Sequence, residues 1–444
     1  MATRKTTRKT SRGSARKTLQ AETPRASLAS GIDELLLAAL ERGGDANETG
    51  RYLVTFREGA LDAGIKAFGS RSLRVADARD FKGQSVSAED TGDADALVFP
   101  EIGVALVGGE ALETSGLATR AEADSDAEPI EIVEPEYFVF AEGSEYLRGF
   151  LSAAGTIARD LGEGSTEGVE SDEVDAEVLG ATWGLRACRV PQSARSGLNI
   201  KVAVLDTGMD RGHPHFTGRI ITGASFVGQP VQDLHGHGTH CIGTACGPKS
   251  PPGLVPRYGI GYRTRIFVGK VLSNSGSGSG ASVLAGMNWA IANRCEVISM
   301  SLGSQSPVQA AYTNAGAAAL ARGCLVVAAA GNAASNTGAP ANSPTIMSVA
   351  SLDSNLAPSS YSNRGKIEIA APGRDVFSSW PRPTLTRTIS GTSMAAPHVA
   401  GCAALWAQTS GALRGMALWR KLQATARRLP YPASRVGAGL VQAP

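Results

Sequence analysis

From Thr182 to the C-terminus, strand-length apolar runs alternate with helix-length segments, and this alternation constrains the fold more than any other feature of the chain. The strand candidates are 200–206, 265–272, 296–302, 324–331 and 345–352. They are rich in Val, Ile, Leu and Ala and show no in–out alternation, as parallel strands buried on both faces should. Between and after them lie helix candidates at 237–246, 281–294, 307–322, 393–407 and 413–426. The pattern predicts an α/β domain of three layers over 182–444, with a mainly parallel sheet and reactive side chains at the C-terminal ends of its strands.

The chain has 444 residues, 42% of them hydrophobic, which suits more than one buried core. No apolar run approaches the roughly 20 residues that span a bilayer, so no membrane span is expected. Residues 49–141 read as a small α+β domain. Strands are predicted at 51–56, 72–81, 98–108 and 130–141, and helices at 61–68 and 109–120. Residues 142–181 read as an acidic linker, with Gly and Ser among the acids of 163–177. Residues 1–48 read as a basic, disordered tail with a helical patch at 32–42, because the first twenty residues carry seven Lys/Arg and no acid. A solubilising role is the plain reading of that tail. An arm for nucleic acid or another anionic surface, or a transit peptide, are the alternatives. No apolar segment follows the basic residues as in a secretory signal, so a cytoplasmic location is expected. The six cysteines, at 188, 241, 246, 295, 324 and 402, sit mostly in apolar stretches and read as buried free thiols.

Three segments carry chemistry. Val202-Ala-Val-Leu-Asp-Thr-Gly208 is a buried strand ending in an acid. His235-Gly-His-Gly-Thr-His240 opens a helix. Gly391-Thr-Ser-Met-Ala-Ala-Pro-His-Val-Ala-Gly401 is a turn that runs into a helix. A hydroxyl becomes a useful nucleophile at neutral pH only when a base takes its proton, and an imidazole serves that purpose when a carboxylate fixes its tautomer. Ala328-Ala-Ala-Gly-Asn332 ends another strand with an amide that could donate to an oxyanion. Taken singly, each residue also has a plainer reading. Asp206 could be a turn residue, Ser393 a helix start and Asn332 part of a turn, while His240 and His398 read as structural.

Together these segments resemble the three signature motifs of the subtilisin (subtilase) family of serine proteases, in the family's order Asp, His, Ser. The resemblance runs from about Thr182 to the closing Gly437-Ala-Gly-Leu-Val-Gln-Ala443. It implies a serine endopeptidase acting on protein or peptide substrates, with Asp206 orienting His237, His237 as general base and Ser393 as nucleophile. Asn332 and the backbone N–H of Ser393 would form the oxyanion hole. Gly276, Ser277 and Gly278 on one side, and Ser301, Leu302 and Gly303 on the other, would pair with an extended substrate. Gly280 falls where relatives often carry a bulky side chain, which implies a wide S4 pocket. Cys241, directly after His240, resembles the free cysteine of the proteinase K-like branch. Residues 51–141 resemble the family's inhibitory propeptide, with Ile132-Val-Glu-Pro-Glu136 as its last strand and Tyr137-Phe-Val-Phe-Ala141 as its tail. That implies a self-processing zymogen whose own propeptide is a partner, with residues 138–142 in the cleft. His215 stands where many relatives have a calcium-binding Asp, and 247–261 lacks their Asn-rich loop. No cofactor is therefore expected to be required and no metal site is assigned, while calcium is left open without its usual strong site. A metal hydrolase built on His235, His237 and His240 is the rival reading, but it leaves Ser393 and Asn332 unused. A binding protein on an inactive protease fold is a second rival, against the intact set of four residues. The α/β-hydrolase fold is excluded by the order of the triad.

Overall fold

In a computed structural model, the structure describes residues 26–42, 47–117, 128–141 and 180–444. The N-terminal part holds α1 (Ile32–Arg42), β1 (Glu48–Phe56), α2 (Leu61–Gly69), β2 (Val75–Asp77), β3 (Ala96–Phe99), β4 (Val104–Val107), α3 (Gly109–Ser115) and β5 (Ile130–Phe140). The larger part begins with α4 (Trp183–Ala187), β6 (Lys201–Asp206), β7 (Ile221–Ser225), α5 (His237–Cys246), β8 (Arg265–Lys270), β9 (Ser277–Ser279) and α6 (Gly280–Ala292). It continues through β10 (Val297–Met300), α7 (Ala310–Ala321), β11 (Leu325–Ala329), β12 (Met347–Leu352) and β13 (Ile369–Pro372). Last come β14 (Val376–Ser379), β15 (Thr386–Ile389), α8 (Thr392–Thr409), α9 (Gly415–Thr425) and α10 (Ala433–Val436).

The seven-stranded sheet runs β13-β12-β11-β10-β6-β8-β7, and each of its pairings is parallel. Its side chains divide by strand parity, as a pleated strand requires. Val202 and Val204 face the core shared with α5 and α8, whereas Ala203 and Leu205 face the core shared with α6 and α7. Both faces are therefore dry, and the three-layer α/β architecture follows. Among the described residues no helix is long and apolar enough to cross a membrane. All six cysteines are buried and unpaired.

The N-terminal part departs from expectation in three places. The run 98–108 is not one strand. It folds into the antiparallel pair β3–β4, turning through Pro100–Gly103 with Gly103 at φ +62°. Both halves are fully buried, so no alternation marks the break. The candidate 72–81 keeps only the three residues of β2 before passing into a helical turn at Ala78–Asp80. Residues 26–42 are not tail. Ala26, Ile32, Leu35, Leu36 and Ala39 are buried in one cluster with Phe138 and Phe140 of β5. The helical spacing of 32, 35, 36 and 39 gives α1 one apolar stripe, and that stripe finds two phenyl rings to cover. The expected tail up to residue 25 and most of the expected acidic linker lie outside the described residues.

A six-stranded sheet, β2-β3-β4-β1-β5-β9, joins the two parts, because β9 of the larger part pairs antiparallel with β5.

Candidate active site

Three parallel strands end side by side and bring the predicted residues together. β6 ends in Asp206, beyond β11 lies Asn332, and β10 runs on into Ser301, Leu302 and Gly303. Helices α5 and α8 then start with His237 and, one residue in, Ser393. The entry to α5 requires Gly236, whose φ of +105° favours glycine and where an added Cβ would collide with the Trp380 ring.

His237 Nδ1 donates to Asp206 Oδ1 at 2.7 Å, with both side chains buried. Burial alone would lower the basicity of the ring. The Asp206 carboxylate and the neighbouring Cys241 outweigh it and hold His237 well above the ordinary imidazole range. Cys241 Sγ lies 3.9 Å from His237 Nδ1 and donates to the Ser393 carbonyl at 3.5 Å, so the thiol packs against the ring. The Ser393 hydroxyl is directed at two carbonyl oxygens, Ser301 O at 3.1 Å and Ala141 O at 3.2 Å. Among the described residues it makes no hydrogen bond to His237. Asn332 is oriented by its neighbour: its Oδ1 accepts from Thr392 N at 2.8 Å and Thr392 Oγ1 at 2.9 Å. With the carbonyl of the amide so occupied, the NH₂ is the group left to donate.

The cleft is filled by the chain's own β5. Phe138, Val139 and Phe140 lie opposite Ser279, Gly278 and Ser277. On the other side Phe140 N donates to Gly303 O at 3.0 Å, and Gly303 N returns the bond at 3.1 Å. Ala141 N donates to Gly276 O at 2.9 Å. The segment is thus a third strand laid between the two edges predicted to take an extended peptide. Gly280 is explained by the same contact. A Cβ there would stand 3.3 Å from Glu136 Cγ and 3.5 Å from Leu53 Cδ1, so the space is taken by the N-terminal part.

Sequence reasoning missed the residues that hold β5 in place. Glu136 is wholly buried: its Oε1 accepts from Ala281 N at the start of α6 (2.7 Å), and its Oε2 from Thr49 Oγ1 (2.6 Å) and Arg51 Nε (2.7 Å). Glu134 accepts from Ala310 N and Ala311 N at the start of α7, at 3.1 and 2.8 Å. Two carboxylates on one strand therefore cap two helix N-termini, where unpaired N–H groups and the helix dipole favour negative charge. Burial pushes both carboxyls up. At Glu136 the Arg51 guanidinium overrides it and the net shift is down, while at Glu134 burial prevails. The spacing of two on a strand was visible, but its partners lie about 145 and 177 residues away.

The histidine cluster does not assemble as a metal site. His240 Nε2 turns away to Val376 O at 3.0 Å, and burial holds its pKa down to about 3. His398 is likewise spent inside its helix on Met394 O. The group of potential ligands among the described residues is Asp206, His237 and Cys241, which is the same hydrogen-bonded set.

The model of the subtilase family matches residues 197–439, more than half of the chain. The chain belongs to the subtilase family. It is a subtilisin-like serine endopeptidase. Subtilisin Savinase of Lederbergia lenta is 40% identical over 268 residues, which cover 59% of this chain and 96% of that one. An alkaline protease of Shouchella clausii is 39% identical over 281 residues, 62% of this subtilase and 72% of the relative. A cuticle-degrading protease of Metarhizium anisopliae is 36% identical over 315 residues, 64% and 77% of the two chains.

Proposed function

We propose that this subtilase is a self-processing zymogen that hydrolyses peptide bonds through an acyl-enzyme, with Asp206, His237 and Ser393 as its triad. In that reading His237 takes the Ser393 proton as the hydroxyl attacks a substrate carbonyl, and Asp206 holds the tautomer and stabilises the imidazolium. Asn332 Nδ2 and the Ser393 N–H receive the oxyanion. His237 then returns the proton to the leaving amine, and a water repeats the sequence to release the acid.

One observation carries the zymogen reading: the carbonyl oxygen of Ala141 accepts from Ser393 Oγ at the end of a strand paired on both edges. Residues 49–141 are in this account the inhibitory propeptide, delivering its last strand to the nucleophile in the manner of a substrate. The helix α1 adds to it, since its apolar stripe packs with Phe138 and Phe140 in one buried cluster. Substrates are proteins and peptides able to adopt the same extended form. An anionic partner for the basic N-terminal residues remains a proposal on composition alone, as does a cytoplasmic location.

The test is chemical labelling. A serine-directed fluorophosphonate is expected to modify Ser393 in the activated enzyme and abolish casein hydrolysis. Asn332→Ala should keep the label but lose about 10²–10³ in kcat, the cost of one oxyanion donor, a magnitude measured on subtilisin itself. Label on another serine, or full activity after Ser393 is modified, would overturn the assignment.

No cofactor is needed in this mechanism. His215 is buried and its Nδ1 is hydrogen-bonded to Tyr258 Oη at 2.6 Å. Burial and the neighbouring His213 hold its pKa down to about 4, so it is a neutral ring at working pH. Calcium requires six or more oxygen ligands, which a neutral imidazole does not supply. The melting temperature is therefore expected to change by no more than about 2 °C in excess EDTA, on the scale at which 1 kcal/mol moves a domain of this size. A fall of 10 °C or more would reveal a calcium site elsewhere.

A further inference from the structure

Behind the proposed triad lies a buried polar group that the mechanism above does not use. Asp233 is fully buried and accepts five hydrogen bonds. Its Oδ1 takes Thr207 Oγ1 at 3.0 Å, His235 N at 3.0 Å and Gly236 N at 2.8 Å. Its Oδ2 takes Thr239 N at 2.9 Å and Thr239 Oγ1 at 2.7 Å. The partners come from both sides of His237 in sequence and from the residue after Asp206. Thr207 completes the link: its own N–H donates to Asp206 Oδ1 at 2.8 Å, and its Oγ1 accepts from Gly238 N at 2.9 Å.

On the far side of Thr207 stands a second buried charge. Lys270, at the end of β8, is fully buried and donates its ammonium to Thr207 O and, at 2.8 Å, to Asn274 Oδ1. Asn274 Oδ1 also accepts from Leu234 N at 3.3 Å, in the loop that leads to His237. Asn274 belongs to the turn that presents the substrate-pairing edge, closed by Ser273 N to Ser277 O at 2.7 Å. A lysine without exposure is costly unless its charge is answered. Burial brings Lys270 down to about 8, opposed by Asp233 and Asp206.

We infer that Asp233 and Lys270, joined through Thr207, are positioning residues that lock the Asp206–His237 pair and tie it to the edge on which substrate is laid. The inference rests on the triad reading above. The two charges have separable duties. Asp233 fixes the backbone on both sides of the imidazole, so its loss should act on any substrate. Lys270 reaches the substrate edge through Asn274, so its loss should act on substrates long enough to pair with Gly276, Ser277 and Gly278.

The test uses the enzyme activated from the full chain, with reactive sites counted by the fluorophosphonate so that unfolded protein does not contribute. Two substrates are compared, a single-residue ester and a tetrapeptide anilide. Asp233→Asn is expected to lower kcat per labelled site about 10²-fold on both. An amide offers one acceptor oxygen and presents its NH₂ to groups that are themselves donors. Thr207→Val, which keeps shape but removes Oγ1, should lose about 10-fold, and Thr207→Ser should restore it. Lys270→Met should raise KM about 10-fold for the tetrapeptide and less than 2-fold for the ester. Variants that merely hold fewer labelled sites, with kcat and KM per site within 2-fold of the parent, would overturn the inference. So would an equal KM change on both substrates in Lys270→Met. No label on Ser393 in the unsubstituted protein would instead overturn the triad reading, and this inference with it.

Discussion

Ser393→Ala and His237→Ala are each expected to lower kcat by about 10⁶, and Asp206→Asn by about 10⁴. These magnitudes were measured on serine proteases, chiefly subtilisin, and are carried over. The geometry explains why they should apply here. The short bond of His237 Nδ1, to Asp206 at 2.7 Å, fixes which nitrogen is left for Ser393, while Cys241 Sγ stands farther off at 3.9 Å. An Asn at 206 can offer its NH₂ to the same nitrogen and so select the wrong tautomer. The double variant Ser393→Ala with His237→Ala should lose no more than either single one, because the two act on the same proton. Additive losses would mean that the residues work independently, and the triad reading would fail.

The second large effect concerns Glu136. The Arg51–Glu136 pair is 3% and 0% exposed, and Glu136 also accepts from Thr49 and from Ala281 N. Arg51 further donates to Leu28 O at 2.9 Å and Ser279 Oγ at 3.1 Å, so one guanidinium joins the α1 segment, the propeptide-like sheet and β9. Removing one member of a buried pair leaves the other charged and unanswered, at about 3–5 kcal/mol. Because Arg51 and Glu136 both lie in the N-terminal part, the share of that loss felt between fragment and enzyme is the charged hydrogen bond to Ala281 N, about 1.5–3 kcal/mol. Glu136→Ala is therefore expected to weaken the hold of the cleaved N-terminal fragment on the enzyme by about 10- to 10²-fold, at 1.36 kcal/mol per decade. Dilution of the cleaved complex with an activity readout measures this. Full inhibition at the same dilution in Glu136→Ala and parent would show that β-pairing alone holds the fragment.

The catalytic half was legible because buried parallel strands leave long apolar runs that helices interrupt. The strand ends also carry residue types with few other uses in that order. β7 was not legible: Ile221–Ser225 is an edge strand with exposed Thr222 and Gly223 and only Ile221 and Ala224 apolar, too few to mark a buried run. The helix α1 was legible as a patch at 32–42, but its place in a buried core was not. Its buried positions 32, 35, 36 and 39 follow helical spacing, but nothing local names Phe138 and Phe140 as the surface they cover. Asp233 reads in sequence as an ordinary loop acid, and Lys270 as a strand-end lysine. Only the fold brings the two to opposite sides of Thr207. The same holds for Glu134 and Glu136, whose helix partners are fixed by the sheet that β5 and β9 share.

The central claim is that the strand ending at Ala141 is held as the enzyme's own first substrate. Intact-mass measurement of the purified parent beside Ser393→Ala tests it most directly. The parent should break on the C-terminal side of Ala141 or of the next residue, leaving two fragments that copurify, while Ser393→Ala stays whole. An uncut parent that is fully active, or the same break in Ser393→Ala, would contradict the account.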